Sequence, residues 1–399
     1  MATVVLLAPL GNTGFGTFGY NLSRELLPLV DRDGVVFRIL SGDDRRRAVA
    51  ADSPDAKTRA VHAAHARIFP GIADVSISMF DATNVVVLPG RVRIGFTMWE
   101  GSRVPPEFAE QLRPFDLVAT PSHWNQRALD AALAALPPGR RPATTVWPGA
   151  APDTAFASAG PSRYRADGFT FGNVGKFERR KGIVPMVMAY AEVARARRDT
   201  PMRLLANWTH IWHKSWAERA QAMLGDHGFE PEPGAGSGAL ARFRHRDARN
   251  ATIDLVLRPL PGEDDVIEFH RACDAGLYPY FCEGWGLPLI ETLACGVPCA
   301  ANPYSAPTEY LPDGGYVPIA DAVERPMRGV FYQKWPWGTW REPTLKAIIA
   351  AMTTLLDMPP ERRLAMGARA RAHLQQRFTW RDAAVRVAAD LNAILAAMR

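Results

Sequence analysis

The chain has 399 residues, 47% of them hydrophobic and 22% charged, with a formal net charge of +6. Such a composition excludes a disordered, collagen-like or disulfide-scaffold chain, and the length favours two domains. No apolar run is long enough to span a bilayer, and the apolar opening at 4–10 lacks a positive flank and a small-residue cleavage site, so a cytoplasmic protein is expected.

In chain order, apolar runs at 4–8, 35–40, 85–88, 93–96, 117–119 and 144–146 predict short strands. Amphipathic segments at 20–29, 106–111 and 124–136 predict helices between them. Residues 148–168 are rich in Pro, Gly, Ala and Ser without periodicity and read as a linker. A second series follows, with strands at 169–174, 202–206, 252–257, 275–280 and 297–301, and helices at 182–197, 215–224, 266–272 and 288–295. A long amphipathic helix closes the chain at 379–398. Alternation of this kind predicts an α/β fold with two Rossmann-like halves, whose ligands bind beyond the carboxyl ends of the strands.

The four cysteines, Cys273, Cys282, Cys295 and Cys299, have no zinc-type spacing and read as buried, reduced thiols. Arginine runs at 45–47, 140–141, 195–198 and 242–249 come without a nucleic-acid motif. Their bland reading is a solvated surface. The sharper one is an anionic acceptor or an anionic membrane surface, which would put the protein peripherally at the inner membrane face. The pair Asp31 and Asp33 sits beside Gly34 in a turn, and no better metal site is visible, so no metal or other cofactor is expected.

The densest chemistry lies at 283–298, EGWGLPLIETLACGVP. An apolar strand feeds a glycine-rich turn and then a helix with Pro288 in its first turn, which makes an anion site from backbone N–H groups and the helix dipole. Gly296 and Pro298 end that helix. Glu283 stands before it and Glu291 one turn inside. Carboxylates beside a phosphate site suit sugar hydroxyls, so the ligand expected is a nucleotide sugar. A second loop, 172–182, carries Lys176, Arg179, Arg180 and Lys181 just after a strand, which suits a diphosphate. The first loop holds Gly14, Gly16 and Gly19 in a Gly-x-Gly-x-x-Gly spacing, with Asp43 and Asp44 further on. A nicotinamide fingerprint is disfavoured, because the glycines begin several residues after the strand and the late Glu pair would go unexplained.

The segment 283–298 resembles the Glu-x7-Glu signature of retaining GT-B glycosyltransferases of family 4 (glycosyl transferases group 1), and 172–182 resembles their Gly-Arg…Lys-Gly motif. The resemblance implies two Rossmann-like domains facing a cleft. An acceptor domain would span 1–155, a nucleotide-sugar domain 165–377, and a helix at 378–399 would cross back to the first. It implies a hexosyl group moving from a nucleotide-diphosphate sugar to a glycan, lipid-linked or small-molecule hydroxyl, with retention and without metal. The alternatives are a sugar-nucleotide epimerase or hydrolase of the same fold, and a non-catalytic nucleotide-sugar-binding protein.

By that carry-over, Lys176 and Lys181 contact the diphosphate beside Gly175, with Lys176 in place of the family's usual Arg. Glu283 holds sugar hydroxyls, aided by the amides of Gly284, Trp285, Gly286 and Leu287. Glu291 holds the ribose, and the backbone at Arg258 meets the base. Gly14 and Gly16, with Asn12 and Thr13, would approach the donor phosphates and the acceptor. Glu100 stands near the family's usual His, where it orients the acceptor hydroxyl, stabilises positive charge on the sugar ring or caps the following turn. His123, behind the predicted N-cap Ser122, reads as structural more often than catalytic. Tryptophans at 208, 212, 216, 335, 337 and 340 receive no role.

Overall fold

The computed structural model describes residues 2–11, 13–30, 35–40, 56–65, 71–81, 84–157, 160, 162–210, 215–234, 240–328 and 337–398. Asn12, Asp31, Asp33, Asp43, Asp44, Trp212, Trp335 and the arginines at 45–47 therefore lie outside the described residues. The chain forms two compact units, Met1–Pro152 with Arg377–Arg399, and Asp153–Gln376.

In the first unit, β1 (Ala2–Leu7), β2 (Val35–Leu40), β3 (Ala73–Met79), β4 (Gly90–Phe96), β5 (Leu117–Thr120) and β6 (Ala143–Val146) form a six-stranded sheet in the order β2-β1-β3-β4-β5-β6. Every pairing in it is parallel. Helices α1 (Gly14–Val30), α2 (Ala56–His65), α3 (Pro106–Gln111) and α4 (His123–Ala135) connect the strands. A parallel sheet is covered on both faces and so draws on near-continuous apolar runs. Ser122 caps α4, its hydroxyl accepting from Asn125 N at 3.1 Å.

The second unit holds β7 (Phe169–Lys176), β8 (Met202–Thr209), β9 (Phe229–Pro231), β10 (Leu240–His245), β11 (Ala251–Val256), β12 (Ala275–Tyr278), β13 (Cys299–Ala301) and β14 (Val317–Pro318). They make one sheet in the order β14-β13-β12-β7-β8-β11-β10-β9. It is parallel from β14 to β11, and β10 and β9 add an antiparallel edge. A hairpin of β15 (Ala322–Pro326) and β16 (Thr339–Pro343) stands apart from that sheet. Its helices are α5 (Asp153–Ala157), α6 (Ile183–Ala196), α7 (Trp216–Asp226), α8 (Glu263–Arg271), α9 (Leu287–Ala294), α10 (Leu345–Asp357) and α11 (Pro360–Arg377). The core centres on β7, β8 and α6, with Phe171, Tyr190, Leu204 and Trp208 fully buried.

The last helix, α12 (Trp380–Ala397), packs within the first unit. Its buried face follows helical spacing through Trp380, Ala384, Val387, Leu391 and Leu395. Trp380 meets Phe18 of α1 edge-on, with ring centroids 5.0 Å apart. Asp390 accepts from the Trp147 indole at 2.8 Å, and Arg386 donates to the Val146 carbonyl at 2.8 Å. A Thr379–Asp382 capping box starts the helix.

Three expectations fail locally. No strand forms at 85–88; the place in the sheet goes to β3, whose sequence ADVSISM hides its apolar character behind polar alternation. The serines of β3 are satisfied by the 85–88 segment itself, Ser76 Oγ donating to Leu88 O at 3.0 Å and Leu88 N to Ser78 Oγ at 3.3 Å. Helix α1 starts at Gly14, six residues ahead of the expected start, because Thr13 caps it: Gly16 N donates to Thr13 Oγ1 at 3.0 Å. The stretch read as a linker contains α5, and Thr154 and Arg163 bind Glu263, Asp265 and Glu268 of α8.

Candidate active site

Strand order places the site before any side chain does. In the second unit β7 has β8 on one side and β12 on the other, and the chain leaves β7 and β12 in opposite directions across the sheet. The crevice beyond the carboxyl ends at such a switch point is where open α/β sheets bind ligands. The two segments that emerge there are 176–182, from the end of β7, and 279–287, after β12.

Glycine lets these segments meet. Gly182 closes a 3-10 turn (Arg179–Lys181) at φ 65°, and a Cβ there would lie 2.1 Å from the Pro279 carbonyl oxygen. The close approach is sealed when Phe281 N donates to Arg180 O at 2.7 Å. Gly286, at φ 91°, caps α9, and a Cβ on it would come within 2.8 Å of the Tyr310 hydroxyl, which donates to the Gly286 carbonyl at 3.1 Å. Pro288 occupies the first turn of α9, and Gly296, at φ 76°, ends the helix.

Three cations and two carboxylates then interlock. Lys181 Nζ lies 2.6 Å from Glu283 Oε1, and Arg180 Nη1 lies 2.9 Å from Glu283 Oε2. Arg180 also donates to Glu178 Oε1 at 2.7 Å and to the Cys282 carbonyl at 2.7 Å. Lys176 stands 4.0 Å from Glu178. Burial opposes ionisation of Glu178, but the charges of Arg180, Lys176 and Lys181 outweigh it and hold its pKa at about 2. Glu283 follows the same pattern: burial pushes its pKa up, and Arg180 and Lys181 hold it below the ordinary carboxylate range. Both acids are therefore anions at neutral pH. The cations are not equivalent, since the Arg180 side chain is 3% exposed, that of Lys181 14% and that of Lys176 30%. Arg180 is committed to the carboxylates, and Arg179 points away to Glu342 at 3.0 Å. The two lysines are the charges that a ligand can reach. Glu283 retains acceptor capacity, because a carboxylate offers about four lone-pair sites and only some are used.

The backbone of Glu283 is fixed as well. Its N–H donates to Ser305 Oγ at 2.9 Å. Ser305 adopts φ 62°, alone among the described non-glycine residues in its positive φ, and such strain persists where surrounding contacts enforce it. A cavity of about 10 Å³, roughly one water in size, lies among Asn173, Lys181, Tyr278, Tyr280, Glu283 and Gly286. Burial keeps the phenols of Tyr278, Tyr280 and Tyr310 neutral by raising their pKa values well above the usual one. The Tyr280 hydroxyl is buried there with no hydrogen-bond partner among the described residues.

Of the residues expected from sequence, Lys176, Gly175, Lys181, Glu283, Gly284, Trp285, Gly286 and Leu287 fall on the two segments or on the strand and helix they join. Glu291, on the next turn of α9, faces α8, where its Oε2 lies 3.7 Å from His270 Nε2. The Arg258 carbonyl accepts from Asn207 Nδ2 at 2.8 Å. The remaining candidates belong to the first unit. Thr13 caps α1, and Gly14 and Gly16 lie in its first turn in place of the expected loop, where a Cβ on Gly16 would strike the Gly11 carbonyl oxygen at 2.0 Å. His123 begins α4 and pairs with Gln126 at 3.2 Å, and Glu100 is partly buried after β4. Sequence reading missed the roles of Glu178, Arg180, Ser305 and His270. Glu178 and Arg180 stood inside a recognised basic loop, but no local pattern marks a charge as buried.

None of the four cysteines is in a disulfide, and burial raises the thiol pKa values of Cys295, Cys299 and Cys273, the last to about 12. Among the described residues no group of three His, Cys, Asp or Glu could hold a metal, and no helix is long and apolar enough to cross a membrane.

A family match spans the segment after β12. Residues 253–323 match the family described as glycosyl transferases group 1. An 80-residue stretch is 30% identical to the O-antigen chain mannosyltransferase B of Escherichia coli, spanning 20% of this chain and 21% of that one. The chain thus covers about a fifth of that relative's length. The whole chain superimposes on the sucrose-phosphate synthase of Thermosynechococcus elongatus with a TM-score of 0.64 at 14% identity, covering 100% of both. It superimposes on an E. coli trehalose-6-phosphate structure with bound UDP-2-fluoro glucose with a TM-score of 0.60 at 12% identity, covering 98% and 99%. At such identities the likeness establishes the fold. The chain thus has the GT-B fold of two Rossmann-like domains, and its residues 253–323 carry the sequence signature of the glycosyl transferases group 1.

Proposed function

We propose that this protein is a retaining glycosyltransferase that moves a hexosyl group from a nucleotide-diphosphate sugar to a hydroxyl acceptor without a divalent metal. The observation that carries the reading is the convergence of Lys176, Lys181 and the anchored Glu283 at the β7/β12 switch point. Anionic Glu283, gripped by Arg180 and Lys181, accepts hydrogen bonds from the donor sugar hydroxyls. Lys181 and Lys176 meet the diphosphate and stabilise the negative charge that grows as it departs. Lys176 acts as a point charge, without the two-pronged hydrogen bonding of an arginine. Glu291 holds the ribose, and the first unit holds the acceptor.

In the proposed step the bond from the anomeric carbon to the phosphate oxygen breaks, and its electron pair stays on the diphosphate. The acceptor hydroxyl attacks the same face and gives its proton to the departing phosphate oxygen. The UDP-2-fluoro glucose held by the E. coli structure supports a nucleotide sugar as the donor class.

Incubating the protein with UDP-, GDP- and ADP-linked hexoses, with and without a panel of sugar and lipid-linked acceptors, tests the reading. Acceptor-dependent release of nucleoside diphosphate that persists in EDTA is expected. Equal turnover without acceptor would mean a hydrolase or an epimerase, and binding without turnover a silent binding protein.

A further inference from the structure

A buried polar chain joins three elements behind the ribose-binding acid. Tyr278 of β12 hydrogen-bonds Thr292 of α9 at 2.6 Å, and Thr292 Oγ1 hydrogen-bonds His270 Nδ1 of α8 at 2.8 Å. The threonine hydroxyl has a single proton, for which the Pro288 carbonyl one turn back, at 2.7 Å, is the alternative acceptor; when that proton goes to Nδ1, the neutral ring carries its own on Nε2. Tyr278, Thr292 and His270 are each at most 5% exposed. With Nδ1 fixed by Thr292, the ring has one orientation, and that orientation turns Nε2 to Glu291 Oε2 at 3.7 Å. No other hydrogen-bond partner for this buried Nε2 stands among the described residues. The separation exceeds a hydrogen bond, so a shift of under about 1 Å by the carboxylate closes it.

We propose that His270 is a positioning residue that holds the Glu291 carboxylate in the rotamer that reads the ribose hydroxyls of the donor. This rests on the donor reading above. A free glutamate must give up side-chain rotamer freedom when it binds, and a carboxylate aimed in advance loses less of its binding energy to ordering. The chain from β12 through Thr292 supplies that aim, much as partners behind a ligating histidine fix its ring. The consequence is specific: His270 governs discrimination at the ribose and leaves the diphosphate contacts alone.

The test is calorimetric binding of UDP, GDP and ADP against their 2′,3′-dideoxy counterparts, using the base that binds best. The wild type is expected to prefer the ribose form by about tenfold or more, as for hydrogen bonds to a charged group. Glu291→Ala abolishes the preference. His270→Phe, which keeps the ring's bulk, cuts it to within about threefold, while affinity for the dideoxy form stays at the wild-type level. Thr292→Val is a second variant should His270→Phe fail to fold, and it loses several-fold of the same preference. Full ribose preference in a folded His270→Phe or Thr292→Val protein, alongside its loss in Glu291→Ala, overturns the role of His270 alone. A wild type that binds none of the diphosphates overturns the donor reading and this inference with it.

Discussion

Two glycine-rich segments follow first strands in this chain, and they do different things. Around Gly11–Gly16 the glycines serve packing: Thr13 caps α1, and Gly16 sits against the Gly11 carbonyl with no room for a methyl group. Around Gly175–Gly182 the glycine that matters, Gly182, lets a basic turn reach the end of β12 and meet Glu283. In sequence both read as phosphate cradles. What separates them is charge, because only the second segment brings cations and carboxylates together at a sheet switch point. Spacing of glycines reports backbone geometry; the chemistry comes from the residues that the geometry brings together.

Breaking the second segment should have the larger consequences. Arg180→Ala leaves Glu178 and Glu283 buried without their shared cation, and removing one partner of a buried ion pair costs about 3–5 kcal/mol. Urea unfolding should show that loss; a change under about 1 kcal/mol would mean that Arg180 is not the keystone of the segment. Lys181→Ala keeps the fold and removes a cation from the leaving diphosphate, so kcat should fall by about 10²–10³-fold, with a smaller change in KM. Steady-state kinetics on the identified donor would read both.

Acid sharpens the same contrast. Because Glu178 is held at about 2 in the folded state, against 4.5 ordinarily, its stabilising contribution is complete above the ordinary range and is lost as pH falls from about 4.5 to about 2. Glu283 adds to it in the same direction. Acid unfolding followed by circular dichroism should be less steep in Glu178→Gln across that window, and an unchanged profile would remove Glu178 from the account. The smallest effect belongs to the first segment. Gly16→Ala should cost about 1–3 kcal/mol through overpacking and leave nucleotide affinity within about twofold. A large loss of nucleotide affinity in a stably folded variant would return that loop to the site.

Much of this was legible in the sequence for reasons that are local. The β12–α9 segment announces itself because Pro288 and Gly296 mark a helix start and stop by backbone preference. The basic loop is legible because four cations follow a strand. The fold class follows from strand–helix alternation. The rest depends on contacts distant in sequence. Leu88 satisfies the serines of β3, so neither segment looks like itself when read alone. The antiparallel edge of β9 and β10 is chosen by pairing with β11, which no single run encodes. Arg180 reads as one more surface cation until Glu283, 103 residues later, folds over it. His270 looks like a helical residue near a charged run, and only the packing of α8 on α9 turns it to Glu291.

The central claim is that the lysines after β7 and the acid after β12 grip a nucleoside diphosphate. Titration calorimetry of UDP, GDP and ADP, each beside its monophosphate, into wild type and Lys181→Ala addresses it most directly. The account predicts that at least one diphosphate binds the wild type at least about tenfold tighter than its monophosphate, and that Lys181→Ala loses most of this difference. Indifference of the wild type to the second phosphate, or an unaltered preference in the variant, would contradict it.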